Sequence, residues 1–345
     1  MDRHIRLTAL GIGHFFIDLL GIYLINVQFR HLSFPSIALY FIIYNLVAFG
    51  LQPFIGFFAD VKKKYLDIAV LGLVFAMVAL LFKELGLVMI LLSTLGNAMY
   101  HVGGGVLSMN LYPNKSAPAG IFVAPGAVGV FLGVYLSMIS PDYGFIIVGL
   151  ALLSCVSIFV LFDQYKLAHS YRKIQPKVGL LITLILFVVL TRGFVGSFLY
   201  FGWKGDLFYS VLLVISIFLG KFFGGVLGDK FGYSKIGVYG LIISVPLLIF
   251  GINQPLLGLA GAFMFNLTMA ITLFLIIESL GVYKGVAFGL TTLTLVGAFI
   301  PFQLGFSINV GIWYYSSISV LILSAAYGLH KAVNLYEHRK GDQVI

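Results

Sequence analysis

Charge is what this sequence has least of: Asp, Glu, Lys and Arg together make up 10% of its 345 residues, against roughly 25% in an ordinary soluble domain. So few charges cannot cover a water-facing surface of that size, which excludes a soluble globular protein. Cysteine is almost absent. The single Cys155 lies inside an apolar run, so an intramolecular disulfide framework is excluded and the thiol reads as inert packing. A signal-peptide pattern is missing too: residues 1–6 are basic, but the apolar stretch after them is too long for a signal core and lacks a small-residue cleavage site. It reads instead as a first membrane span. What fills the chain is hydrophobic residues, 61% of the total.

Apolar runs recur over almost the whole length, each able to cross about 30 Å of hydrocarbon at 1.5 Å per residue. They fall at about 8–27, 36–59, 66–82, 85–108, 118–139 and 143–162, and again at about 178–201, 207–228, 235–252, 255–278, 285–309 and 311–330. The longest polar segment separates the two sets and carries Lys166, Arg172, Lys173 and Lys177. The expected organisation is all-α: a six-helix half over 1–163, a linker over 164–177 and a second six-helix half over 178–345.

The formal net charge of +9 does not point to nucleic acid, because the basic residues sit in short connectors and form no stripe with interleaved aromatics. Membrane topology accounts for them. With a cytoplasmic N-terminus, sixteen Lys and Arg fall in inside segments, among them Arg3, Arg6, Lys62, Lys63, Lys64 and Lys115, while only Arg30, Lys83 and Lys204 fall outside. The positive-inside rule then places both termini in the cytoplasm of a cell-membrane protein.

The two halves resemble each other after their second runs. Gly56, Asp60 and Lys64 in one answer to Gly225, Asp229 and Lys230 in the other, and the aspartates stand 169 residues apart. Parallel repeats of six spans imply a pseudo-twofold axis along the membrane normal, with a substrate path between the halves. Asp60 and Asp229 at the membrane rim can cap neighbouring helix N-termini and pair with basic residues in one conformation only.

The segment Gly225-Val-Leu-Gly-Asp229-Lys230-Phe-Gly232-Tyr-Ser-Lys235 resembles the loop signature of the major facilitator superfamily. Its counterpart departs from the pattern, with Val61 where a basic residue is usual and Lys63 where glycine is usual. Within the superfamily, Gly13-His14 with Asp18, Gly96-Asn97 and Tyr100-His101 resemble the fosmidomycin-resistance-like exporters. The resemblance implies twelve transmembrane helices in two halves, with helices 1, 4, 7 and 10 lining a central cavity. It also implies a conformational latch at Gly56, Asp60, Lys64, Gly225, Asp229 and Lys230. Gly120, Ala124-Pro125-Gly126, Gly129 and Gly133 are similar to a degenerate antiporter signature, which leans toward efflux; close helix packing gives the same string.

An ionised side chain at mid-bilayer costs about 2.5–3.5 kcal/mol on insertion scales, so a carrier keeps one only where it faces protein or water. His14 and Asp18 stand four apart, on one face of the first helix. His101 on the fourth span sits at a similar depth. A carboxylate beside imidazoles in partly dry surroundings suits proton coupling, and a buried structural pair is the plainer reading. Arg192, deep in the seventh span, can grip a carboxylate or phosphate bidentately, or form an internal ion pair with Asp18 or Glu278. Asn97, Tyr100, Asn266 and Thr272 are candidate substrate contacts; Asn266, Thr268 and Thr272 can equally bond their own backbone. Lys221 reads as helix packing and Glu278 as an interfacial charge.

The expectation is therefore a secondary active transporter, with no enzymatic activity and no cofactor, moving a small polar or anionic solute or drug by alternating access. Protons would couple at Asp18, His14 and His101, and its partners would be the solute, protons and the lipid bilayer. One alternative makes His14, Asp18 and His101 ligands of a transported divalent transition metal. Another is a membrane-embedded enzyme, since His14-Phe-Phe-Ile-Asp18 is similar to an acyltransferase His/Asp pair one residue too short; no nucleophile elbow or His-rich box accompanies it.

Overall fold

The computed structural model describes residues 3–29, 32, 34–163, 165 and 178–341. Arg30, and in the expected linker everything but Tyr165, including Lys166, Arg172, Lys173 and Lys177, lie outside the described residues. Among the described residues twelve helices are long and apolar enough to cross a membrane. These are span 1 (Arg3–Phe29), span 2 (Ile37–Lys62), span 3 (Tyr65–Phe82), span 4 (Gly86–Leu111), span 5 (Ala117–Ile139) and span 6 (Pro141–Phe162). Then come span 7 (Val178–Phe198), span 8 (Leu207–Phe231), span 9 (Tyr233–Phe250), span 10 (Pro255–Leu280), span 11 (Lys284–Gln303) and span 12 (Ile312–Arg339). No strand occurs among the described residues, as expected where only a helix or a closed barrel satisfies its own backbone in lipid. The chain is a multi-pass membrane protein.

The residues form two compact units. One holds Met1–Pro113, Ile121–Tyr171 and Tyr283–Val296; the other holds Asn114–Gly120, Arg172–Val282 and Gly297–Ile345. The start of span 5 thus clusters with the second set of helices and the start of span 11 with the first. The division expected from the sequence has no such exchanged segments.

Within the first unit, spans 3 and 4 pack backbone to backbone. A Cβ added at Gly96 would stand 2.5 Å from the carbonyl oxygen of Gly72, and one at Gly103 would stand 2.5 Å from that of Tyr65 and 2.6 Å from the amide of Ala69. Lipid is as apolar as leucine, so helices gain little by hiding apolar area from it and gain most by close contact. Small residues at helical spacing, Ala69, Gly72 and Ala76 against Gly96 and Gly103, supply that contact. The second unit uses the same device: Gly220, Gly224 and Gly228 of span 8 face Phe263, Leu267 and Ile271 of span 10. Outward faces carry large apolar side chains, with Phe145, Leu153 and Val160 each more than half exposed. Spans 1, 4 and 10 are the most enclosed.

Replacing Gly103 by Ala should destabilise the purified protein by about 1–3 kcal/mol, the usual cost of overpacking. The same change at Gly149, where an added Cβ meets nothing within 4 Å, should be neutral or slightly stabilising. Thermal unfolding in detergent compares the two.

Candidate functional site

Span 1 places His14 and Asp18 one turn apart, and the structure brings His101 of span 4 to the same point of the first unit. His14 Nε2 lies 3.2 Å from Asp18 Oδ2, and His101 Nε2 lies 3.7 Å from Asp18 Oδ1. The two imidazole rings meet edge to face with centroids 4.4 Å apart. Asn97 Nδ2 donates to Asp18 Oδ1 at 3.0 Å, while the Asn97 side-chain oxygen is buried without a partner. Asp18 keeps 14% of its side chain exposed, more than His14 at 5% or His101 at 8%.

Local backbone fixes the orientation of both rings. His14 Nδ1 donates to the carbonyl of Phe122 at 2.7 Å, and His101 Nδ1 donates to that of Asn97 at 2.9 Å. A carbonyl oxygen only accepts, so each Nδ1 carries a hydrogen and each Nε2 is left facing the carboxylate. With neutral rings and an ionised Asp18, two nitrogen lone pairs would confront two anionic oxygens. A shared proton or another cation turns that opposition into attraction. Gly126 of span 5 makes the room, because a Cβ there would strike Asp18 Oδ2 and come within 2.7 Å of His14 Nε2. The three donor atoms lie within 4.8 Å of one another, a spacing that a small cation can bridge.

Tyr100 is fully enclosed and donates to the carbonyl of Leu10 at 2.6 Å, tying span 4 to span 1 beside the cluster. Its hydroxyl is therefore committed to protein. Asn97 belongs to the Asp18 cluster by the bond already described.

The two rim aspartates hold helix starts. In the first unit Asp60 Oδ1 accepts from the amide of Gly285 at 2.9 Å and from Tyr65 Oη at 2.7 Å, and Oδ2 accepts from the amide of Val286 at 3.0 Å. In the second unit Asp229 Oδ1 accepts from the amide of Ser116 at 2.8 Å and from Tyr233 Oη at 3.2 Å, and Oδ2 accepts from the amide of Ala117 at 2.9 Å. Each carboxylate thus satisfies amides that a helix N-terminus leaves without intrahelical partners. Gly56 and Gly225 permit the approach: an added Cβ would strike the carbonyl of Gly285 in one unit and stand 2.5 Å from that of Ser116 in the other. The lysines expected in the latch have other neighbours. Lys64 pairs with Asp67 at 3.0 Å, and Lys230 lies 5.1 Å from the ring centre of Phe231.

In the second unit Arg192 lays its guanidinium 5.6 Å from the ring centre of Phe265, and its Nε is buried without a hydrogen-bond partner. Among the described residues it forms no ion pair. Asn266 donates to the carbonyl of Ala262 at 2.8 Å, and the Thr272 hydroxyl to those of Thr268 and Met269, each at 3.1 Å. These side chains bond their own helix. Lys221 and Glu278 are half-buried.

Sequence reasoning did not single out Tyr65, Tyr233, Ser116, Phe122 or Phe288. Aligning the two aspartate loops offers a signal for the tyrosines, which follow their aspartates by five and four residues. A carbonyl partner such as that of Phe122 leaves no trace in side-chain identity.

Neither the protein-family models nor the curated proteins give a match to this sequence. Solved structures do. The E. coli fucose:proton symporter FucP, as a single-residue variant, superimposes with a TM-score of 0.64 at 16% identity, over 98% of this chain and 99% of its own. A second structure, described as the major facilitator superfamily transporter FucP in the outward conformation, gives 0.62 at 15% identity, over 97% and 98%. The chain has the major facilitator fold.

The departure at Lys63 has a measurable consequence. Lys63 takes the left-handed conformation with φ 58°, while Gly232, its counterpart in the second repeat, has φ 99°. A side chain at positive φ costs roughly 1–2 kcal/mol, so Lys63→Gly should raise stability by about 0.5–1 kcal/mol after the extra flexibility of an unfolded glycine is subtracted. Chemical or thermal unfolding of the two proteins checks the sign.

Proposed function

We propose that this protein is a secondary active transporter that carries a small polar or anionic solute across the cell membrane by alternating access, with protons coupled at Asp18, His14 and His101. One observation carries the reading: two imidazole rings, each held through Nδ1 by a backbone carbonyl, point their Nε2 atoms at the two oxygens of one carboxylate inside a membrane domain. Such a cluster has few reasons to exist in hydrocarbon unless it gains and loses a cation. A protein of the same fold is a fucose:proton symporter, which supports the proton as the coupling ion. The positive-inside distribution supports both termini in the cytoplasm.

Arg192 is the proposed anchor for the solute. Its guanidinium has no counter-ion among the described residues, so a bound carboxylate or phosphate would fill the vacant role with bidentate hydrogen bonds. Asn266 and Thr272, already bonded to their own helix, can add the amide oxygen and second N–H of Asn266 and the acceptor capacity of the Thr272 hydroxyl. The glycine run of span 5 carries no separate argument for export, because Gly126, Gly129 and Gly133 each lie against span 1. Asp60 and Asp229 are the proposed latch, acting through backbone amides. The acyltransferase-like alternative loses its chemistry: with Nδ1 on a carbonyl and Nε2 on a carboxylate, His14 has no nitrogen left to activate a nucleophile.

The convergence of three donor atoms favours a second reading, in which the cluster carries a divalent transition metal. Calorimetry with zinc or manganese separates the two. Micromolar binding that disappears in His101→Ala supports metal transport; no binding leaves the proton.

A thermal-shift screen identifies the solute and tests Arg192 together. A ligand at a hundred times its dissociation constant stabilises by about 2.7 kcal/mol, and a true substrate should do so for the wild type but not for Arg192→Ala. In proteoliposomes an imposed pH gradient should then drive accumulation of that compound. Asp18→Asn should reduce it to the level of protein-free vesicles, and undiminished gradient-driven transport by this variant removes Asp18 from the coupling step.

Asp60→Ala leaves the amides of Gly285 and Val286 without their charged acceptor. Hydrogen bonds to charged groups contribute about 1.5–3 kcal/mol, so the population in which span 11 is docked on span 2 should fall at least about tenfold. Labelling of a cysteine placed at Tyr283 reads this out.

A further inference from the structure

Span 11 begins against span 2 and continues against span 4. Lys284 Nζ donates to Asn110 Oδ1 at 2.6 Å, and the amides of Gly285 and Val286 donate to Asp60. One turn on, Phe288 is 3% exposed and fills the space opposite Gly105, where an added Cβ would strike its ring. That ring lies 6.4 Å, centre to centre, from His101 and 6.2 Å from Phe122. Phe122 in turn lies tilted against His14 with ring centres 4.6 Å apart, and its carbonyl accepts from His14 Nδ1. His101 therefore meets Phe288 directly, and His14 reaches it through one intervening ring, that of Phe122.

We infer that Phe288 is the positioning residue that couples the state of the Asp18 cluster to docking of span 11. The inference rests on the transporter reading of that cluster. The contact is suited to the task in two ways. An imidazole that gains a cationic neighbour or becomes cationic itself changes its electrostatic interaction with an adjoining aromatic ring, and a close-packed contact transmits sub-ångström shifts because there is no free volume to absorb them. Gly105 leaves Phe288 a seat with no competing side chain. The same helix carries, two to four residues earlier, Lys284 and the amides of Gly285 and Val286 that Asp60 holds. A change in the seat of Phe288 is thus a change in the angle at which the capped end of span 11 meets span 2.

The test is a double-mutant cycle read at the latch, with the full chain in proteoliposomes at one fixed pH. The Phe57 and Tyr283 rings stack with centroids 6.4 Å apart and planes within 9°. Cysteines at these two positions, in a Cys155→Ser background, report docking through the rate of crosslinking by a short bismaleimide. The probe of cluster state is Asp18→Asn, which removes the carboxylate charge without changing its shape. With Phe288 present, Asp18→Asn should change the crosslinking rate about fivefold or more, the lower end of typical site-to-site couplings. With Phe288→Ala the same change should fall below about twofold, so that the cycle does not close. Phe288→Leu carries the comparison if the alanine variant does not yield a monodisperse protein, and Phe288→Met, which keeps the reach of the side chain, should restore part of the coupling. Thr294→Val, on the same span with its hydroxyl bonded to Leu290, should leave the Asp18 effect intact.

An Asp18→Asn effect of equal size with and without the Phe288 ring overturns the inference while leaving the coupling role of Asp18 standing. Absence of any Asp18→Asn effect with Phe288 in place overturns both.

Discussion

Hydrocarbon offers no hydrogen bonds, and in this protein nearly every polar choice follows from that constraint. The hydroxyls of Thr94, Ser157 and Thr183 return to carbonyls three or four residues back in their own helices, which satisfies them without a neighbour. Carboxylates, which only accept, have no such local remedy. Asp60 and Asp229 solve the problem with the amides of another helix, and Asp18 solves it with two imidazoles and an asparagine. The first two use permanent donors. The third adds to one amide donor two imidazole nitrogens that can accept a proton, and the proposed coupling at Asp18 rests on that difference.

The Asp18 cluster is selective about what it leaves adjustable. Each imidazole spends its Nδ1 hydrogen on a carbonyl, so neither ring can flip or change tautomer without losing a buried bond. That leaves adjustable what occupies the space between two Nε2 atoms and two carboxylate oxygens. Metal sites use the same arrangement, in which a second partner on the far nitrogen fixes the near one. In the proposed coupling, a rigid frame around one exchangeable cation would give the rest of the unit a binary signal, with the packing of Phe122 and Phe288 against those rings as its path.

Much of this was legible before any coordinates. The hydropathy pattern places all twelve spans, because length and apolarity are fixed by the thickness of the membrane, but span 12 runs on to Arg339 where an end near 330 is expected and span 11 stops at Gln303 where 309 is expected. His14 and Asp18 follow from helical spacing alone. That His101 meets them does not, since it depends on the close approach of spans 1 and 4, set by Gly13 and Tyr100. The lysines of the loop signature, Lys64 and Lys230, draw the eye as charges, yet the aspartates beside them bond main-chain amides, which every residue has and no sequence pattern marks. Tyr100 looks like a polar lining residue in a string of letters; full burial and one carbonyl make it a tie between helices. Arg192 is visible as a charge in an apolar run, but its lack of a counter-ion among the described residues is a property of the fold.

The two caps make a case about what the loop signature conserves physically. The first copy has lost the basic residue after its aspartate and the glycine three positions on, and its tyrosine stands one place later than in the second copy. Even so, both copies share one carboxylate, two successive amides, one phenol, and a glycine four residues earlier that lets two backbones touch, and Asp229 takes one bond more, from the Ser116 hydroxyl at 3.1 Å. The lysines and the turn glycine therefore serve the loop, while the aspartate and the preceding glycine serve the helix that follows elsewhere in the chain. It also explains the unexpected membership of the compact units. The exchanged segments, Asn114–Gly120 and Tyr283–Val296, contain the helix starts that the two aspartates hold, and each is held further by contacts of its own, Ser116 Oγ to the carbonyl of Gly225 in one and Lys284 to Asn110 in the other.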